Sequence, residues 1–387
     1  MGLYDFIIAG GGAAGLGLAY QMAASPLRGS SILIVDREAK NQNDRTWSFW
    51  TNRATPLDHL VYHWWDRVEV VSDDFRRVFD LAPYQYKTIR GIDYYTGIRS
   101  ALEEIPNITF HQGRVQEVRD AKDKRVAQVV VDEFYHGARY AFDSTFRLND
   151  VIRGPAGYHY LKQHFKGWEI ETPTDCFDPS TATLFDFRTP QKGCMRFFYI
   201  LPFSRRRALV EYPLFSADLL KPHEYDRAIS DYLETVRKIP DYRITAVENG
   251  IIPMTDRPFP RRLGERVMAI GTKGGLVKPS TGYGFLRMQK DAQAIVQSLV
   301  NQGDPFNLPK TPARYRLFDT IMLQVMYRNG GRMKEIFTQL FKNNSIETIF
   351  RFLDEEGGWD ENIGLLRSLP SAPFLKALFR VKLLRKI

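Results

Sequence analysis

Tyr4-Asp5-Phe6-Ile7-Ile8-Ala9-Gly10-Gly11-Gly12-Ala13-Ala14-Gly15 opens with an apolar run and continues into closely spaced glycines. The run is of the kind that forms a strand buried on both faces of a parallel sheet. A helix-like stretch through Leu16, Ala19, Tyr20 and Ala23 follows the glycines. Within the spacing Gly10-x-Gly12-x-x-Gly15, Gly10 permits a tight turn and Gly12 lets the backbone approach a pyrophosphate. Gly15 allows close packing of helix on strand. The helix N-terminus then offers unpaired N–H groups and a favourable dipole to phosphates. Ser31-Ile32-Leu33-Ile34-Val35-Asp36 reads as a second buried strand ending in a carboxylate. Asp36 stands where it would accept hydrogen bonds from ribose hydroxyls, and its charge disfavours a 2′-phosphate, hence NADP, at this site. A glycine motif alone is weak, but two strands, a helix and the terminal carboxylate together point to a bound dinucleotide.

The far part of the chain argues for FAD over NAD. Val267-Met268-Ala269-Ile270-Gly271 is another buried strand, followed by Thr272-Lys273-Gly274-Gly275 and by Pro279-Ser280-Thr281-Gly282-Tyr283-Gly284-Phe285. Many FAD proteins of this architecture carry a strand, a Gly-Asp pair and a helix start here, near the ribityl chain and the flavin. Thr272 occupies the position of that Asp, so a hydroxyl, the backbone or water must make the ribityl contact. The expected cofactor residues are Gly10, Gly12, Gly15, Asp36, Arg45, Gly271, Pro279, Ser280, Thr281 and Gly282.

Between these segments the patterning changes. Val68–Val71, Arg77–Leu81, Val126–Val131, Arg196–Leu201 and Ala208–Tyr212 read as strands, many of them antiparallel, while Gly97–Glu104, His223–Ile239 and Gln289–Val300 read as helices. From Pro312 onward the pattern is mostly helical. The fold class expected is α/β: a Rossmann-like FAD-binding domain of the glutathione-reductase type, an inserted antiparallel-sheet substrate domain and a helical C-terminus. The cofactor domain is expected to be discontinuous, over residues 1–50, 90–150 and 245–300. Residues 51–89 and 151–244 form the substrate domain, and 301–387 the helical region.

Bulk properties agree with a folded enzyme. The 387 residues are 44% hydrophobic and 26% charged, enough chain for about two to three domain-sized units. Two cysteines, Cys176 and Cys194, without a C-x-x-C pair, give neither a disulfide framework nor zinc-ligand spacing, and a reducing compartment fits. The first strand begins at Tyr4, so no signal or transit peptide is expected, and no apolar run reaches the ~18 residues of a spanning helix. The net charge of +9 is spread along the chain rather than gathered in a stripe, which argues against nucleic acid. Basic residues beside 26 Phe and 19 Tyr suit either a basic soluble surface or an anionic membrane.

Four separated stretches in order carry a resemblance. Asp44-Arg45-Thr46-Trp47-Ser48-Phe49-Trp50, Gly250-Ile251-Ile252-Pro253-Met254, Pro279-Ser280-Thr281-Gly282-Tyr283 and Arg351-Phe352-Leu353-Asp354-Glu355-Glu356 together resemble the bacterial lycopene β-cyclases. The resemblance implies conversion of the ψ end groups of lycopene into β-ionone rings, giving γ- and then β-carotene, without net redox change. It implies reduced FAD as cofactor, NAD(P)H as its reductant, and a carotenoid taken from a bilayer. The chemistry is acid-initiated: a proton reaches the terminal double bond, the chain closes, and a ring cation loses a proton. Such a site needs a carboxylic acid whose pKa is raised by desolvation and electron-rich groups around the cation.

The stretch matching the essential acid of that family is Leu209-Val210-Glu211-Tyr212-Pro213-Leu214-Phe215, with Glu211 the proton donor. On the residues alone, Glu211 is either a buried acid or an outward-facing strand residue. Tyr212 and Pro213 depart from the commoner acidic or Thr choices, and Gly357 replaces a Thr or Ser. Asp354, Glu355 and Glu356 read as a solvated helix end, with Glu355 and Asp354 as secondary acids. Arg45 and Trp47 either approach the cofactor or belong to the core. Phe374, Ala377, Leu378, Val381 and Leu384 share one helix face, opposed by Lys376 and Arg380 and interrupted by Lys382 and Arg385. That pattern fits an interfacial helix on the inner face of the membrane, with the rest of the protein in the cytoplasm, or a terminal helix docked on the body. Two rival functions share the phosphate loop: an FAD-dependent monooxygenase acting on a lipophilic substrate, and a non-catalytic carotenoid-binding paralogue.

Overall fold

The computed structural model describes residues 3–148 and 157–385. Among them, seven strands make a sheet in the order Ile108–Gln112, Ile32–Asp36, Tyr4–Ala9, Phe134–Asp143, Ala127–Val131 and Val115–Asp120. The seventh, Val267–Ala269, runs parallel to the last part of Phe134–Asp143. Tyr4–Ala9 pairs in parallel with both neighbours, Ile8 opposite Ile34 and Phe142. Alternation assigns the faces. Phe6, Ile8, Ile32 and Ile34 pack beneath the helices Ala13–Ala23, Gly91–Glu103 and Phe285–Gln302, against Leu16, Met22, Ile98, Leu102, Ile295 and Leu299. Ile7, Leu33 and Val35 join a second cluster with Val129, Val131 and Ala141. Gly10 turns the chain from strand to helix at φ +105°, a conformation reserved largely for glycine. A Cβ on Gly15 would collide with the Gly10 carbonyl, so helix and strand approach closely there.

Eight further strands form a second sheet. The main path runs Arg243–Thr255, Tyr160–Glu171, Arg207–Ser216, Phe198–Pro202, Thr181–Asp186, Arg67–Val71 and Arg76–Asp80. Here the structure departs from expectation. Residues 245–255 were assigned to the cofactor region, yet Arg243–Thr255 pairs antiparallel with Tyr160–Glu171 as the edge of the second sheet. Its exposed, weakly alternating N-terminal half carries little sign of sheet membership, and cross-strand pairing decides it. Arg207–Ser216 is covered on both faces. Leu209 and Phe215 join the core of the C-terminal helices, while Ala208, Val210, Tyr212 and Leu214 pack under Pro222–Asp231. A three-stranded sheet, Thr46–Thr51, Gln85–Arg90 and His63–Trp65, lies between the larger two.

The C-terminal helices Ala313–Asn329, Met333–Asn343, Ile346–Leu353, Trp359–Arg367 and Ser371–Arg385 close the molecule. In the last of them, Pro373, Ala377 and Val381 are buried and Phe374 and Leu378 half-buried. The apolar face expected to meet a membrane is therefore largely spent on packing. Leu375 and Phe379 point outward instead, 52% and 72% exposed, beside Lys376 and Arg380. Leu384 lies outside the residues whose side chains are described. No helix among the described residues is long and apolar enough to cross a membrane.

Candidate active site

A cleft of about 790 Å³ opens where the phosphate loop, the Thr46–Thr51 strand, the edge strand Arg243–Thr255 and the loop 271–284 converge. Gly10, Gly12, Asp36, Arg45, Gly271, Thr272 and Gly282 line it. A Cβ on Gly12 would meet nothing within 4 Å, so the loop leaves a cradle that a side chain would fill. Asp36 is fixed at its rim, accepting from the Gly11 N–H at 2.6 Å and the Glu38 N–H at 2.8 Å. The N-terminus of Ala13–Ala23 faces the same space through Ala13 and Ala14. Cradle, helix end and carboxylate together fit a dinucleotide. Trp47 lines the cleft and stacks on Phe285 with ring centroids 5.2 Å apart, so it serves both wall and core.

Other expected cofactor residues do something different. Gly15 packs helix on strand rather than lining the cleft. Pro279, Ser280 and Thr281 do not line it either. Ser280 turns inward and donates to Asp319 at 2.6 Å. Beside it, buried Lys278 bridges Asp319 at 3.1 Å and Glu355 at 2.9 Å, and Arg287 reaches the same Glu355 oxygen at 2.9 Å. These contacts tie the loop to two C-terminal helical segments.

They also correct the reading of the acidic cluster as solvated. Asp354 accepts from the Trp50 indole at 2.9 Å, and burial pushes its carboxyl up to about 6. Burial opposes ionisation of Glu355, but the Lys278 and Arg287 charges outweigh it and hold the carboxyl below its ordinary range. Glu356 alone is exposed. An ionised, doubly paired Glu355 has no proton to donate.

Glu211 is 8% exposed, which decides between the two orientations its sequence allowed. It occupies the centre of a row formed across four strands, Glu248–Gly167–Glu211–Tyr199, each residue in register with the next. Gly167 makes the row possible. A Cβ there would come within 2.8 Å of the Glu211 Cγ and 3.4 Å of the Glu248 Cγ, so the missing side chain is the space in which the two glutamates meet. Burial first, then hydrogen bonding and repulsion from Glu248, push the Glu211 carboxyl well above the usual range. Among the described residues no cation pairs with it. On the other side Tyr199 hydrogen-bonds Tyr86 at 2.6 Å, and Tyr86 lies 3.4 Å from the Tyr283 hydroxyl. The result is a carboxyl whose acid form is favoured, beside a cluster of aromatic rings.

Glu248 differs from its partner. It lines the cleft, is half-buried, and accepts from the Thr46 hydroxyl at 2.6 Å. Sequence reasoning missed it, along with Tyr86 and Tyr199. Its signal was positional: Glu248 stands two residues before Gly250 on one strand, hence on the same face as Gly250 and Ile252.

The family model described as lycopene cyclase protein matches residues 5–379. The neoxanthin synthase of Solanum lycopersicum is 26% identical over 314 residues, 77% of this chain and 60% of that protein. The lycopene beta cyclase of Arabidopsis thaliana is 26% identical over 315 residues, 76% of this chain and 60% of that protein. The chain thus spans about 60% of the length of these relatives. Among solved structures, a flavoprotein/dehydrogenase from Cytophaga hutchinsonii superposes with a TM-score of 0.65 at 13% identity, covering 100% of this chain and 99% of that one. At that identity the likeness is one of fold, and the fold is that of flavoprotein oxidoreductases.

Proposed function

The chain belongs to the lycopene cyclase family, and from that premise we propose that it cyclises the ψ end groups of a carotenoid, lycopene, to β-ionone rings with FAD held in the cleft. The observation that carries the reading is Glu211: a carboxyl buried without a cation among the described residues, raised well above the usual range, and in register with Tyr199, whose hydroxyl bonds to Tyr86 and through it approaches Tyr283. A neutral buried acid is what protonation of an alkene requires, since an ionised one has nothing to give.

Glu211 transfers its proton to the inner carbon of the terminal double bond, the next double bond closes the ring on the tertiary cation so formed, and the ring cation loses a proton to form the new double bond. The faces of Tyr86, Tyr199 and Tyr283 offer electron-rich surface to that cation. Gly12, Asp36 and the start of Ala13–Ala23 would hold the dinucleotide, with Gly271, Thr272, Gly282 and Arg45 lining the rest of its cleft. Reduced FAD, when bound, would supply negative charge that stabilises a cation, with NAD(P)H as its source of electrons. The substrate comes from a bilayer, and the protein meets that surface through Leu375, Phe379, Lys376 and Arg380 from the cytoplasmic side.

The test is pigment analysis of lycopene-accumulating cells expressing the chain. Conversion to γ- and β-carotene is expected. Unchanged lycopene overturns the reading in favour of a non-catalytic carotenoid binder. A hydroxylated product with oxygen and NAD(P)H consumed overturns it in favour of a monooxygenase.

A further inference from the structure

A buried acid that gives up a proton at every turnover must recover one. Glu211 is almost sealed from solvent, so its reloading requires a route, and the row across the sheet supplies one. Glu248 meets Glu211 in the gap over Gly167 and at the same time lines the cleft. On the far side Tyr199 bonds Tyr86, which belongs to the core cluster of the C-terminal helices, and Ser48, which does not line the cleft.

Resting on the cyclase reading, we propose that Glu248 is a proton relay, taking a proton from the cleft and passing it to Glu211 between turnovers. The two environments suit that division. The Thr46 hydroxyl donates to Glu248 at 2.6 Å and holds it at the cleft wall. Glu211 sits in apolar and aromatic surroundings that favour its acid form. One carboxyl is thus buried while the other opens on the cleft, the placement a relay needs. The balance closes. Glu211 loses its proton as a C–H bond forms on the substrate, and the ring cation releases one proton into the cleft. Glu248 takes up a proton from cleft water and gives its own to the Glu211 carboxylate. No electrons move and no co-reactant is consumed.

Gly167 is a positioning residue for this pair, because any side chain there would wedge the carboxyls apart. It allows the relay to be broken without removing either acid.

The experiment compares first-turnover and steady-state rates of lycopene cyclisation in the flavin-loaded protein. A relay variant starts with Glu211 already protonated, so its first turnover should fall less than its steady-state rate. Its steady-state rate should fall by about 10- to 100-fold, toward the lower range of lost proton-transfer assistance. Glu248→Gln and Gly167→Ala should both show this burst followed by a slow phase, whereas Glu211→Gln should show neither phase. Acetate should restore part of the steady rate to Glu248→Ala, which a merely structural loss would not permit. Wild-type steady rates in Glu248→Gln and Gly167→Ala overturn the relay. So does an equal loss of both phases in variants that keep their flavin, because Glu248 would then act in the chemical step itself. If Glu248→Gln loses flavin, Gly167→Ala and the acetate series decide. Wild-type protein that cyclises nothing refutes the cyclase reading instead, so the two failures are told apart.

Discussion

Glu211→Gln keeps the size and polarity of the side chain at the centre of the carboxyl row while deleting the proton that cyclisation needs. Activity should fall by about 10²- to 10⁴-fold, the usual contribution of a general acid, with flavin content unchanged. The same substitution makes a second, independent prediction. Burial and Glu248 raise the folded-state pKa of Glu211. Its contribution to stability is therefore complete below the unfolded value and is lost as pH rises through the folded one. Glutamine carries no such penalty. The melting temperature of Glu211→Gln should match wild type near pH 5 and exceed it by a growing margin toward pH 9; a constant difference across that range would contradict a raised pKa. Glu211 was legible because one carboxylate interrupts an apolar strand. Glu248 was not, because its meeting with Glu211 depends on the register of three strands and on the missing Cβ of Gly167 between them.

At the level of elements, the phosphate loop was the most legible part of the chain. Strand, turn and helix are contiguous in sequence, so their geometry is fixed locally. Gly12→Val puts a branched side chain into the space the loop leaves open, and should abolish flavin retention while far-UV circular dichroism stays unchanged. Undiminished flavin per mole of protein would refute the assignment. The loop 271–284 was harder to read. Its Pro279-Ser280-Thr281 run looked like a cofactor contact, but the Ser280 hydroxyl and Lys278 belong to an ion network completed by Asp319 and Glu355. Residues 39 to 77 positions away decide where such side chains point, and no local pattern carries that information.

For the molecule as a whole, the order of strands and helices was legible, while the boundary at residue 245 and the direction of the terminal helix were not. Both were settled by what packs beside them. The terminal helix commits Pro373, Ala377 and Val381 to the body, so its removal would expose core as well as surface. The cleaner test of membrane contact is Leu375→Ser with Phe379→Ser, since both side chains are more than half exposed. This double variant should keep its fold and bind anionic vesicles more weakly in flotation, with a residual attraction that salt removes. Flotation equal to wild type would place the contact elsewhere.

The ion pairs of Lys278 with Asp319 and Glu355 carry a consequence for how the protein is made. The sheet beneath the cleft begins at Tyr4 yet receives Val267–Ala269 as its seventh strand, and the loop that follows is held by side chains encoded 41 and 77 positions after Lys278. On the ribosome, the phosphate loop emerges well before the opposite wall of its cleft, which follows only after Gly271. Contacts so distant in sequence form slowly. The cleft is therefore completed late, and a chain arrested before Glu355 would carry the glycine turn beside a cleft without the ion pairs that hold its far loop.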